Sequence, residues 1–336
     1  MDPMNQTAVP PTPVSLRRFT KLVAASTLFL IYAGAMVTST GSGLAVPDWP
    51  LSYGRLMPPM VAGIFYEHGH RMIAATVGFL TVIQALWLWR AEPKRFVRRL
   101  GWASLGAVIA QGLLGGLTVK LLLPHSVSIA HAGLAEIFLC LNVSIAFFTS
   151  RWYGSLRSRQ EGNVPTVLLT ALPVVVYLQI LLGALMRHLG AGLAIPDFPL
   201  AFGRLIPPFT STAVAVNFAH RAGATIVALV VLAVLLRLFR RGPAPLRRVA
   251  MMLVAVVALQ IYLGAKVVWD GTVQTNVYHS LAGDQALHHA GITSFHVMTG
   301  ALTLATSLVL ALSARALSRR SEATAAAPYV GREVTA

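Results

Sequence analysis

The stretch Gly41–Pro59, GSGLAVPDWPLSYGRLMPP, returns at Gly190–Pro208 as GAGLAIPDFPLAFGRLIPP. Each copy follows one apolar run and precedes another, so the repeat is larger than the loop itself. The runs are about 20 residues long, enough to cross a bilayer as a helix. Working outward from the two loops, the spans fall near residues 22–40, 63–89, 101–121 and 127–149, then 164–186, 212–236, 249–269 and 290–314. Each half has an even number of spans, so both halves enter from the same side. That is a parallel repeat, related by an axis along the membrane normal. The expected fold is an all-α membrane protein, its eight transmembrane helices forming two parallel-repeat four-helix bundles. The expected domains are a cytoplasmic tail at 1–21, an N-terminal bundle at 22–160, a C-terminal bundle at 161–315 and a second cytoplasmic tail at 316–336.

Composition agrees with this reading. The 336 residues are 56% hydrophobic and 11% charged, with a mean hydropathy of +0.68, against about 25% charged in a soluble domain. A net charge of +16 could suit nucleic acid. The basic residues instead fall in short runs beside the spans, which excludes that partner. All but seven of the 27 Lys and Arg lie at the N-terminus or after the second, fourth, sixth and eighth spans. The seven are Arg55, Arg71, Lys120, Arg187, Arg204, Arg221 and Lys266, near the opposite face. The positive-inside rule then places both termini in the cytoplasm, and the expected location is the cell (inner or plasma) membrane. Residues 1–15, polar and proline-rich, read as a tail. The basic start and first apolar run resemble a signal peptide, but their recurrence in mid-chain assigns them to the fold. Cys140 is the single cysteine, so no intrachain disulfide or zinc-type spacing exists.

Charged and imidazole groups inside such spans are costly and usually functional. Tyr66-Glu67-His68-Gly69-His70-Arg71 opens the second span, and Asn217-Phe218-Ala219-His220-Arg221 opens the sixth. His131 and His296 occupy matching places on the fourth and eighth. At 1.5 Å per residue the four histidines should lie about 8 to 13 Å deep. Two imidazoles per bundle, with small residues nearby (Gly69, Ala74, Gly133, Ala135; Ala222, Gly223, Ala224, Gly300), suit a flat macrocycle with axial His ligands, such as haem. The bland alternative is interhelical hydrogen bonding. Zinc would want further carboxylate or thiolate ligands. Arg71 and Arg221 suit haem propionates through charge-assisted bonds, or snorkel to the interface.

Glu67 lies three residues before His70, on the same helical face. An acid in an apolar pocket suits proton transfer; structurally it could pair with Arg71 or an outer-loop donor. The second half keeps the arginine and replaces only the acid, by Asn217. Glu136 lies about 140° around its helix from His131, away from that site. His68 points away from His70, and His125, His188, His279, His288 and His289 sit in or near outer loops.

The Glu-x-x-His-Arg of span two, the Gly-Ser-Gly-Leu-Ala-x-Pro-Asp-Trp-Pro loop, the Asn-x-x-His-Arg of span six, His131 and His296 together resemble the haem A synthase family. The resemblance covers nearly all eight spans. It implies conversion of haem O to haem A by oxidation of the C8 methyl to a formyl group, for cytochrome oxidase. It further implies that His70, His131 and Arg71 bind the substrate haem, that Glu67 is catalytic, and that His220, His296 and Arg221 bind a resident haem b. Haem O synthase and cytochrome oxidase assembly factors are the implied protein partners, membrane lipid surrounds the spans, and an oligomer stays open. Many relatives carry cysteine pairs in the two outer loops. Here those positions read Val46 and Ser52, then Ile195 and Ala201, so loop rigidity should come from Pro47, Pro50, Pro58, Pro59 and their repeats. The rival reading is a non-catalytic dihaem electron-transfer protein of the b-cytochrome type, which would need the histidines but not Glu67. A haem transporter would place its site at the midplane.

Overall fold

A computed structural model of the chain describes residues 11–159, 164, 166–275 and 284–325. Among these residues the fold is all-helical: α1 (Val14–Ser39), α2 (Ala62–Ala91), α3 (Arg95–Lys120), α4 (His125–Thr149), a short α5 (Arg151–Arg157), α6 (Thr166–His188), α7 (Thr212–Arg241), α8 (Ala244–Thr275) and α9 (Asp284–Ala325). All but α5 are long and apolar enough to cross a membrane. Helices consecutive in the chain pack as neighbours (α1 on α2, α3 on α4, α6 on α7, α8 on α9), while α1 against α9 and α4 against α6 join the halves.

Three boundaries differ from expectation. The segment expected as the end of the N-terminal tail is helical from Val14, because Leu16, Thr20 and Val23 form a buried stripe at helical spacing. Charged neighbours such as Arg17, Arg18 and Lys21 conceal that stripe in a hydropathy reading. The loop after α4 contains α5, whose N-cap is Ser150; its hydroxyl accepts from the Tyr153 N–H at 3.1 Å. The expected C-terminal tail begins inside α9, where Leu317 is buried in the same cluster as Leu156 of α5. His279 lies outside the described residues.

The two halves are held together internally by different means. A polar node ties α1 to α4: Gln84 Nε2 donates to Asn142 Oδ1 (2.8 Å), Ser104 Oγ donates to the same oxygen (3.0 Å), and Asn142 Nδ2 reaches Thr27 Oγ1 (3.4 Å). All four residues are buried, and their mutual hydrogen bonds offset much of the burial cost, although Gln84 Oε1 stays without a partner. Counting from the paired histidines, glutamines and glycines, the corresponding positions are Val234, Ser307, Leu253 and Val176. The three apolar ones belong to the large hydrophobic cluster that runs through α6 to α9.

Both repeated loops fold alike. Asp48 Oδ1 and Oδ2 accept the N–H groups of Tyr53 (2.6 Å) and Gly54 (2.8 Å). Asp197 accepts from Phe202 (2.6 Å) and Gly203 (2.7 Å) in the same way. Gly54 and Gly203 have φ of 68° and 72°, a left-handed turn that glycine adopts without a Cβ penalty. The Gly54 amide first, and the Tyr53 amide with it, hold the Asp48 carboxyl below its ordinary range. Loop order therefore rests on these aspartate turns as well as on the prolines.

Candidate functional site

Each of the four histidines lies against a glycine of the preceding long helix. A Cβ on Gly34 (α1) would stand 3.0 Å from His70 Cε1, and one on Gly115 (α3) 3.1 Å from His131 Cε1. The distances are 2.8 Å for Gly183 (α6) and His220, and 3.0 Å for Gly264 (α8) and His296. A methyl at Gly183 would force the His220 ring to shift, and one at the other three would press each ring back by a few tenths of an ångström, so glycine lets each ring sit close against the neighbouring helix. The expected small residues sit elsewhere: a Cβ on Gly69 would meet nothing within 4 Å, one on Gly223 meets Gln179, and one on Gly300 meets Gln260.

One turn before three of these glycines stands a glutamine. Gln111 Nε2 donates to the His131 carbonyl (2.9 Å) and lies 3.3 Å from His131 Nε2. Gln179 Nε2 donates to the His220 carbonyl (2.7 Å) and lies 3.0 Å from His220 Nδ1. Gln260 pairs with His296 from both ends: His296 Nδ1 lies 3.1 Å from the Gln260 carbonyl, and the two Nε2 atoms are 3.3 Å apart. The fourth position, before Gly34, is Leu30. Accordingly the Nδ1 atoms of His220 and His296 have partners, whereas those of His70 and His131 are buried without one. Gln111-x-x-x-Gly115 and Gln260-x-x-x-Gly264 are corresponding stretches of the two halves. A third copy, Gln179-x-x-x-Gly183, is the sequence signal that ties the pattern to the histidines.

The residues fit a haem. The ring centroids of His220 and His296 are 6.5 Å apart. Two axial imidazoles sharing one metal, each bonded at about 2 Å with the ring centre about 1 Å further back, would have centroids roughly 6 Å apart. No group of three or more His, Cys, Asp or Glu able to hold a bare ion occurs among the described residues. A two-histidine site therefore needs a macrocycle to complete the coordination. His70 and His131 present the same donor types on α2 and α4, each against its glycine.

Glu67 is 3% exposed. Its Oε2 accepts the Val46 N–H (2.8 Å) and its Oε1 forms an ion pair with Arg71. Arg71 Nη1 donates to the carbonyls of Asp48 (2.7 Å) and Leu51 (3.0 Å), and Nη2 to that of Val46 (3.1 Å). Arg221 repeats the pattern on Asp197 (2.6 Å), Leu200 (3.1 Å) and Ile195 (2.8 Å). Both arginines thus clamp their loop to their helix. Asn217 faces the loop with the opposite polarity: its Nδ2 donates to the carbonyls of Ala191 (2.8 Å) and Gly192 (2.9 Å).

Two further groups are buried. His68 is 4% exposed and its Nδ1 lies 2.8 Å from Ser52 Oγ, while Nε2 has no partner; Phe218 and Ala201 hold these places in the second half. Glu136 is buried with Oε2 unpartnered. His125 and His288 are exposed, and His188 and His289 partly so.

Comparison with known proteins matches residues 60–291 to the COX15-CtaA family, described as cytochrome oxidase assembly protein. The haem A synthase of Symbiobacterium thermophilum is 33% identical over 264 residues, covering 75% of this chain and 85% of its own. That of Shouchella clausii is 28% identical over 282 residues, 79% of this chain and 91% of its own. That of Geobacillus thermodenitrificans is 28% identical over 330 residues, 94% and 98%.

Proposed function

The chain belongs to the COX15-CtaA family of cytochrome oxidase assembly proteins, and from that premise we propose that it is a haem A synthase. It is a membrane oxidoreductase that oxidises the C8 methyl of haem O to the formyl group of haem A. The observation that carries the reading is the asymmetry between matched sites. Two histidine pairs sit on equivalent glycines, but only the first has a buried carboxylate three residues away.

The architecture proposed is two parallel-repeat four-helix bundles in the cell membrane, with residues 22–160 taking the substrate and 161–315 the cofactor, and with 1–21 and 316–336 at the cytoplasmic face. The twin Asp48/Arg71 and Asp197/Arg221 clamps support the repeat. In the first bundle His70 and His131 bind the iron of haem O. Glu67, steadied by the Val46 N–H and Arg71, takes the proton or stabilises the positive charge that arises as the methyl is oxidised. In the second bundle His220 and His296 hold haem b, which when bound supplies one-electron transfer. Arg71 and Arg221 contribute to haem binding by pinning the loops that close each pocket. Haem O synthase and cytochrome oxidase assembly factors are the partners for delivery and uptake.

The test is Glu67→Gln in the purified full chain, with pigments extracted and identified by chromatography and mass. The variant retains both haems, accumulates haem O and forms haem A about 10²- to 10⁴-fold more slowly. Unchanged haem A formation rejects the acid's role. Wild-type protein carrying only haem b, with no haem O or A, favours the electron-transfer alternative.

A further inference from the structure

Arg187 ends α6 on the face that carries Gln179 and Gly183, two turns and one turn before it. Gln179 holds His220 and Gly183 supports its ring. The Arg187 backbone therefore lies about 6 Å along the helix axis from the ring-supporting glycine, towards the loop end, and its side chain reaches across to α1. Its Nη2 donates across the seam between the halves, to the Ala35 carbonyl (2.8 Å) and to Ser39 Oγ (2.6 Å) of α1. Ser39 Oγ in turn meets Ser294 Oγ at 2.9 Å, two residues before His296. Ala35 adjoins Gly34, the glycine under His70. Arg187 is thus tied to neighbours of both histidine sites.

What it lacks is an anion. The partly buried guanidinium makes no ion pair with any carboxylate among the described residues, and Thr38 stands at the corresponding place on α1. An arginine held in an apolar span without a counter-charge is costly. Arg71 and Arg221 do not compete for the role, since their terminal nitrogens are already spent on loop carbonyls. We propose that Arg187 is the carboxylate anchor of the site, binding a haem propionate at the seam between the two histidine pairs. The inference rests on the haem reading above and adds to it the residue that recognises the acid edge of the macrocycle. A guanidinium suits this because, with Nη2 committed to Ala35 and Ser39, it still offers Nη1–H and Nε–H donors on a permanent charge, a geometry a lysine does not reproduce.

The experiment compares uptake of iron protoporphyrin IX and of its dimethyl ester by the full-length protein purified from haem-depleted cells. Titrations are followed by the low-spin absorbance of bis-imidazole iron. Wild type prefers the free acid by about tenfold or more. Arg187→Gln removes that preference while its affinity for the diester is unchanged, and Arg187→Lys retains part of it. A preference that persists in Arg187→Gln overturns the proposal. So does a variant that loses bound phosphatidylglycerol but keeps the preference, since the partner is then a lipid phosphate. Failure of wild type to take up either porphyrin overturns the haem reading itself.

Discussion

In the first half a carboxylate, Glu67, accepts the Val46 N–H; in the second an amide, Asn217, donates to the carbonyls of Ala191 and Gly192. The arginine next to each histidine does the same work in both places, so each loop is clamped to its helix in the same way. The core beneath differs too. A hydrogen-bonded node of Thr27, Gln84, Ser104 and Asn142 centres the first half, and Val176, Val234 and Leu253 fill its place in the second. The second half is thus a close-packed apolar bundle whose histidine Nδ1 atoms are held. The first is polar inside and leaves both Nδ1 atoms without partners. The difference is in the direction the proposed division of roles requires, a held cofactor in the second half and a released product in the first.

The largest expected effect comes from the clamps. Removing Arg221 as Arg221→Ala loses three loop hydrogen bonds, each to a charged donor and worth about 1.5–3 kcal/mol at most. Arg71→Ala loses the same bonds and also strands Glu67 as an uncompensated buried charge, a loss of about 3–5 kcal/mol for a buried pair. Thermal unfolding in one detergent should therefore rank wild type above Arg221→Ala and Arg221→Ala above Arg71→Ala. Adding Glu67→Gln to Arg71→Ala should recover part of the difference. Equal destabilisation by the two alanines would show that the acid and the amide play the same structural part, and the comparison would break.

Much of this was legible in the chain. The loop repeat, the spans and the four histidines follow from hydropathy and spacing, because lipid exposure forces long apolar runs and makes every polar exception conspicuous. What was not legible depends on which residues face each other across helices. Glycines under the rings lie 16 to 37 residues from their histidines in sequence, so helical periodicity within one span cannot find them. The clamp by Arg71 and Arg221 uses backbone carbonyls of the loop, which have no side-chain signature. The helical start at Val14 and the α9 extension escaped for a different reason: flanking basic residues outweigh a narrow buried stripe in any window average.

The next contrast lies at one position, Leu30 against Gln179. A partner on the ring nitrogen that does not bind metal orients an imidazole ligand, and its loss typically costs 10–100-fold in metal affinity. Gln179→Leu should make the second half resemble the first. Transfer of haem b from the purified protein to excess apomyoglobin should then quicken by about 10- to 100-fold. Leu30→Gln should act in the opposite sense, slowing loss of the haem proposed for His70 and His131. Haem loss unaltered by both substitutions would separate hydrogen bonding at Nδ1 from retention, leaving the difference between the halves to packing alone.

The smallest effect tests the Ser52–His68 pair, which the second half replaces with Ala201 and Phe218. Ser52→Ala alone leaves His68 with both ring nitrogens buried and unpartnered, a cost of about 1–3 kcal/mol. Replacing both partners by apolar groups can be nearly neutral, and here the second half supplies the shapes that fit. The double variant Ser52→Ala, His68→Phe should therefore be more stable than Ser52→Ala, and within about 1 kcal/mol of wild type. The sign of the coupling in this cycle is the decisive quantity. A double variant worse than the sum of its singles would mean that His68 supports the first half through contacts beyond Ser52, and its unpartnered Nε2 would be the atom to follow.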